Sequence, residues 1–188
     1  MKNIIVFASG SGSNAENIVK FFTGSFVAKV TFILSNNPNA HVLNRAKDLN
    51  ISTVTFNKTE FYDSDRVLNF LKKQQPDLIV LAGFLWLIPS KIVQTFPNKI
   101  INIHPALLPK YGGKGMFGQN VHKAVVNNQE KESGITIHYV NEKYDEGDII
   151  FQAKCLLTPS DDPQEVANKI HKLEQEHFPK VIASLLSD

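Results

Sequence analysis

Ile4-Ile5-Val6-Phe7-Ala8-Ser9-Gly10-Ser11-Gly12-Ser13-Asn14-Ala15 runs a five-residue apolar stretch directly into a turn of glycines and small polar residues. The apolar stretch is too short for a membrane span or a signal-peptide core, so it reads as a buried strand. After the turn a helical pattern continues to about Phe22. Strand, Gly-rich turn and helix in this order open a βαβ unit, and the turn has the place and spacing of a phosphate cradle. Small residues let the backbone approach an anion, the N-terminal amides of the helix hold it, and the Ser and Asn side chains add donors. A plain tight turn, with Ser13 or Asn14 capping the helix, fits the same residues.

Working outward, short apolar runs recur at residues 29–34, 52–56, 78–81 and 100–103, with helical patterns between them. Their apolar character on both faces predicts an open, mostly parallel, Rossmann-like α/β sheet covered by helices on each side. Two further strands, at 134–140 and 148–157 and joined by a short turn at 141–147, predict an antiparallel or mixed pair at the C-terminal end. Asp162, Pro163 and Glu165 then announce a helix as N-cap, first residue and capping-box acid. Val166, Ile170, Leu173, Val181 and Leu185 mark its apolar stripe, and Glu174 falls inside that stripe. Either the stripe's edge is solvated and the carboxylate snorkels to water, or the acid faces something that requires it.

A chain of 188 residues with 43% hydrophobic content buries a core without disulfides or metals and makes one domain the expectation. Residues 1–100 are expected to form a phosphate-binding half and 101–188 a catalytic and folate-binding half. The single Cys155 cannot form an internal bridge; it fits a reducing compartment, with the cytoplasm favoured, and equally a free thiol outside the cell. A net charge of +2 without a run of five like charges shows no nucleic-acid or membrane footprint, which leaves small molecules as partners. Dinucleotide binding requires an acid about 20 residues beyond the glycines to hold a ribose hydroxyl. The second strand ends instead in Ser35-Asn36-Asn37-Pro38, so a phosphate monoester suits the turn better than NAD or NADP.

Ile100-Ile101-Asn102-Ile103-His104-Pro105 carries the most chemistry. Alternation sets Asn102 and His104 on one face at a strand end that Pro105 terminates. At the carboxyl edge of an α/β sheet an amide beside an imidazole can stabilise an oxyanion and carry a proton; two satisfied core polar groups would look the same. His138 shares its face with Thr136 and Val140 and reads as core, while His41 and His122 read as ordinary helix positions. His171 and His177 lack metal-ligand spacing, and no metal site is expected. No G-x-S-x-G elbow is present, and Cys155 has no basic neighbour except Lys154, which argues against a covalent nucleophile. The four glycines of residues 112–118 predict a mobile loop, and the turn at 144–148 could bring a carboxylate to the same sheet edge.

The sets S-G-S-G-S-N at 9–14, N-I-H-P-A-L-L-P at 102–109 and Asp145-Glu146-Gly147, with Leu81-Ala82-Gly83-Phe84 and Gly134-Ile135-Thr136-Ile137-His138, resemble the folate-dependent formyltransferases in order from Asn3 to about Ile182. The resemblance implies that formyl passes from 10-formyltetrahydrofolate, a co-substrate rather than a tightly bound cofactor, to the amine of glycinamide ribonucleotide in purine synthesis. It assigns Gly12, Ser13 and Asn14 to the substrate phosphate and Glu174 to the neighbourhood of the substrate amine. Leu85, Trp86, Leu87 and Ile88 would line the pterin pocket, closed on the other side by residues 141–145 with Asn141 and Tyr144. Asn102 and a protonated His104 would stabilise the oxyanion, with Asp145 raising the imidazole pKa and ordering a water that relays protons. Trp86 stands where many relatives carry Arg, and Arg66 is the candidate for the folate tail. A monomer or weak homodimer is expected. A methionyl-tRNA formyltransferase or a formyltetrahydrofolate hydrolase would share the Asn102, His104 and Asp145 set, but each adds a domain for which 188 residues leave no room. A non-catalytic nucleotide-binding module would keep the turn without needing that set.

Overall fold

The computed structural model describes residues 1–187. The run that opens the chain becomes β1 (Lys2–Phe7), and the turn after it leads into α1 (Ser13–Phe22). There follow β2 (Ala28–Ser35), α2 (His41–Asp48), β3 (Ser52–Thr55), a π-helical turn (Thr59–Asp63) and α3 (Arg66–Gln74). Next come β4 (Leu78–Leu81), α4 (Ser90–Thr95), β5 (Ile100–His104) and α5 (Gln119–Asn127), then β6 (Glu132–Tyr139), β7 (Ile149–Leu156) and α6 (Pro163–Ser187). One seven-stranded sheet has the order β3-β2-β1-β4-β5-β6-β7. It is parallel from β3 to β5 and antiparallel at both β5–β6 and β6–β7. The boundary at residue 100 falls inside this continuous sheet, where β4 pairs directly with β5.

Alternation along β1 explains the layers. Ile4 and Val6 point to one face, where α1, α2, α5 and α6 supply Ile18, Val42, Val121 and Phe178. Ile5 and Phe7 point to the other, against Leu71 of α3, Ile92 of α4 and an aromatic group of Phe56, Phe61 and Phe84. The expectation of strands apolar on both faces holds for β1 and β4, whereas β5 carries Asn102 and His104 on one of its faces. It fails for the edge strand β3, which exposes Ser52, Thr53 and Thr55; β7, the other edge, exposes Ile149 and Leu156, and each of these strands has a neighbour on one side only.

α6 opens as its sequence predicts, with Asp162 and Glu165 exchanging backbone-to-carboxylate hydrogen bonds at 2.7 and 2.8 Å. Its buried stripe differs from the expected one: Val166, Ile170, Phe178, Ile182 and Leu186 are buried, whereas Leu173, Val181 and Leu185 are half-buried. Four-residue steps advance about 40° each around a helix, so this stripe winds as α6 packs on α5, β6, β7 and α1. Pro179 lies inside α6 and cannot donate to the carbonyl of Gln175; that oxygen instead accepts from the Asn17 side chain at 2.8 Å, fastening α1 to α6.

Gly134 packs β6 against its neighbours. A Cβ there would lie 2.0 Å from the Ala153 carbonyl oxygen of β7 and 2.6 Å from Leu107. Because the nearer obstacle is backbone, Gly134→Ala is expected to lower stability by about 1–3 kcal/mol, read as a fall in the urea midpoint. An unchanged midpoint would show that β7 yields without cost.

Candidate active site

The strand order reverses direction between β1 and β4, so the loops leaving their carboxyl ends diverge and open a crevice. A single cavity of about 910 Å³ fills it, reaching from the turn at residues 10–14, past Asn102 and His104, to the wall at residues 85–88.

The turn is held from behind. The Val42 amide donates to Gly10 O at 3.1 Å, Arg45 Nε to Ser11 O at 2.9 Å, and Arg45 is paired with Glu16. Gly12 has φ +76°, and a Cβ on it would meet the Val42 backbone and side chain at 2.3–2.8 Å, which makes glycine a requirement there. Neither Ser13 nor Asn14 caps the helix: Gly12 occupies the N-cap with no side-chain bond, leaving the first amides of α1 beside the cavity. The Asn14 side chain is committed elsewhere, Nδ2 donating to Glu174 at 2.9 Å and Oδ1 accepting from Gln175 at 3.1 Å. These bonds occupy its Oδ1 and one of its two Nδ2 hydrogens, so its backbone amide and one side-chain hydrogen are left for an anion. Glu174 does not snorkel to water; it turns into the cavity, 14% exposed, with His171 Nδ1 3.5 Å away, and that carboxylate raises the His171 pKa against the opposing effect of burial.

Beyond the turn, Asp145 is the hub. It adopts a left-handed backbone (φ +56°), one that Asp tolerates better than most residues, and its carboxylate faces back into the sheet edge. Oδ2 accepts from the Gly113 amide at 2.9 Å and lies 3.6 Å from His104 Nδ1. Oδ1 lies 3.6 Å from His138 Nε2 and 3.4 Å from Asn102 Nδ2. The loop at 112–118 is thereby tied to the site. Burial acts to raise the Asp145 pKa, but contact with His138, His104 and the Gly113 amide outweighs it and the carboxyl sits below its ordinary value.

His104 Nε2 is 2.7 Å from the Tyr111 carbonyl oxygen, which only accepts, so Nε2 carries the hydrogen and Nδ1 faces Asp145 and the cavity. Asp145 acts to raise the His104 pKa, as expected, but the expectation of a protonated His104 needs correction. Burial is the largest influence, it disfavours the cation, and it outweighs the carboxylate, so the net shift is downward. His104 is therefore a neutral imidazole at neutral pH.

Two histidines read as bland belong to this cavity. His138 is buried, as a core reading requires, yet it faces Asn102 and Asp145; its signal is the antiparallel register that sets Asn102 opposite His138, with a bulge in β7 beside it. His122 of α5 is buried against the cavity, its pKa lowered by burial against the pull of Glu174, and no motif in the sequence distinguishes it.

The far wall is formed by Leu85, Trp86, Leu87 and Ile88, fixed by Leu85 N donating to Ser9 Oγ at 3.0 Å and Tyr62 OH donating to Leu87 O at 3.0 Å. Trp86 packs among Phe56, Phe61 and Tyr62, with Lys58 5.9 Å from its ring centroid. Tyr144 lines the cavity but Asn141 does not: its Oδ1 accepts from the Lys143 amide at 2.9 Å and stabilises its own turn. Arg66 is paired with Glu60 and lies outside the cavity lining.

The formyl transferase family model matches residues 2–182. The phosphoribosylglycinamide formyltransferase of Arabidopsis chloroplasts is 37% identical over 193 residues, covering 100% of this chain and 66% of that protein. That of Bacillus subtilis is 37% identical, covering 99% of this chain and 95% of that protein. The chain thus spans slightly less than two thirds of the plant relative and nearly all of the bacterial one. The crystal structure of phosphoribosylglycinamide formyltransferase from Anaplasma phagocytophilum has a TM-score of 0.90 at 32% identity, covering 100% of this chain and 88% of that one.

Proposed function

The chain belongs to the formyl transferase family, and from that premise we propose that it carries a formyl group from 10-formyltetrahydrofolate to the amine of glycinamide ribonucleotide, a step of purine biosynthesis. The observation that carries this reading is the position of Asn102, His104 and Asp145 midway along one cavity, between an anion-ready turn and an apolar wall. The phosphate sits on the backbone amides of residues 12–14, and Glu174 holds the sugar-glycinamide side of the ribonucleotide. The pterin lies against Leu85, Trp86, Leu87 and Ile88, with Tyr144 across from it. Both reactants come and go as substrates, and we place the reaction in the cytoplasm, in a monomer or weak homodimer with neither nucleic acid nor membrane as partner. The two halves share the work: the pterin wall lies before residue 100 and Glu174 after it.

The amine attacks the formyl carbon directly, so no acyl-enzyme forms. As the new C–N bond forms, the amine proton passes to the bare Nδ1 of His104, and Asp145 balances the imidazolium. The oxyanion receives hydrogen bonds from that Nδ1–H and from the Asn102 amide. When the intermediate collapses, the bond from carbon to N10 breaks and N10 takes the proton from His104, directly or through a water, which restores the neutral imidazole.

Release of tetrahydrofolate, followed by absorbance with and without glycinamide ribonucleotide, tests this. Release that requires the ribonucleotide is expected. Release without it would make the chain a hydrolase on the same residues, and no release in either cuvette would return it to a binding module.

A further inference from the structure

The hydrogen bonds of His138 fix more than its own place. Nδ1 lies 2.8 Å from the Tyr139 carbonyl oxygen, an acceptor only, so Nδ1 carries a hydrogen in every protonation state. Nε2 lies 3.1 Å from Asn102 Nδ2. A donor amide on that side requires a bare Nε2, which is a neutral His138. In this arrangement both Nδ2 hydrogens of Asn102 point inward, one to His138 and one to Asp145 Oδ1. Among the described residues its Oδ1 has no partner, and it is not sealed from solvent, so it opens to the cavity that Asn102 lines. A carbonyl oxygen aimed at a developing oxyanion repels it.

We propose that His138 is a positioning residue for the transfer: a proton on its Nε2 reverses the Asn102 amide and turns the N–H donors toward the reacting carbon. With Nε2 protonated, Asn102 Oδ1 becomes its acceptor across the same short distance, and the carboxamide nitrogen moves to the cavity side. Asp145 Oδ1, 3.6 Å from Nε2, balances the added charge. The proton comes from solvent at equilibrium and no bond is broken. Among the described residues the titratable groups facing His138 are Asp145, from the loop after its own strand, and His104, from β5; β7 sets Ile149 opposite it. This inference rests on the proposed formyl transfer for its consequence, but not for the coupling itself, which belongs to the unliganded protein.

Two measurements test it. In a pH titration of the unliganded protein by nitrogen NMR, the His138 ring nitrogens and the Asn102 carboxamide are expected to share one midpoint, and the Asn102 transition is expected to vanish in His138→Gln. In turnover with 10-formyltetrahydrofolate and glycinamide ribonucleotide, the wild type is expected to lose about 10²-fold above that midpoint, the cost of one oxyanion donor. His138→Gln, whose side-chain amide donates at every pH, is expected to retain activity there, and His138→Ala to be impaired throughout. An Asn102 carboxamide that ignores the His138 titration, or an alkaline loss unchanged in His138→Gln, overturns the proposal. A shared NMR midpoint in a protein without turnover would instead sink the formyl-transfer reading and leave the coupling standing.

Discussion

Asn102→Ala and His104→Ala are each expected to lower kcat by about 10²- to 10³-fold, roughly 2.7–4 kcal/mol of transition-state stabilisation, with smaller effects on KM. The expectation follows from where these groups act. Each meets charge that exists only after the amine has attacked, so its loss raises the barrier without weakening ground-state binding. For His104 the alanine variant also strips the Tyr111 carbonyl of its donor, which mixes a structural cost with the chemical one. His104→Gln separates them, because a carboxamide can still donate to Tyr111 but cannot take up the amine proton. Its turnover is expected to fall as far as that of the alanine variant while its circular dichroism and melting midpoint stay closer to wild type. The wild-type pH profile carries the same signature. Burial holds the His104 pKa below its ordinary value near 6.5, so the neutral base persists as pH drops past that value. The acid-side fall in kcat/KM is therefore expected below pH 6.5 and absent from the residual rate of His104→Gln. A near wild-type kcat in any of these variants, with the fold intact, would remove that residue from the mechanism.

How much of this site could be read before the fold was known depended on distance along the chain. The opening strand, the glycine turn and α1 are contiguous, and the polar face of β5 follows from alternation over three residues, so Asn102 and His104 declare themselves locally. Glu174 was legible as a misfit in an apolar stripe, although that stripe winds more than a straight helical wheel allows. His138 was not legible, because its meaning lies in the cross-strand register that sets it against Asn102, and nothing in residues 134–140 announces that pairing. Asn141 and Arg66 fail for the complementary reason: each satisfies itself on a near neighbour, the Lys143 amide or the Glu60 carboxylate. The charge on His104 is not legible in the sequence, because an adjacent carboxylate can be read from a motif, whereas the depth of burial opposing it is a property of the packed chain.

Asp145→Asn is expected to have the largest effect of any single isosteric change, about 10³- to 10⁴-fold in kcat, near the cost of replacing a buried carboxylate that orients and balances a catalytic imidazole. The carboxylate faces four groups: the Gly113 amide, His104 Nδ1, His138 Nε2 and Asn102 Nδ2. Each of those groups offers, or comes to offer, a hydrogen or a positive charge. A carboxamide retains one acceptor oxygen and no charge. Aimed at Gly113 and His104, that oxygen leaves an NH₂ facing the Asn102 donor; aimed the other way, it sets donor against the Gly113 N–H and holds the 112–118 loop off the site. In either orientation the imidazolium formed during transfer loses its counter-charge. The influence opposing burial also goes, so the His104 pKa falls further and the acid limb of kcat/KM moves to lower pH in the residual activity. The double variant Asn102→Ala/Asp145→Asn settles whether these groups act as a unit. If Asp145 works through the groups it orients, the double loss falls well short of the product of the single losses. A multiplicative loss would mean that Asn102 and Asp145 stabilise the transition state independently, and the hub would then be only a structural one.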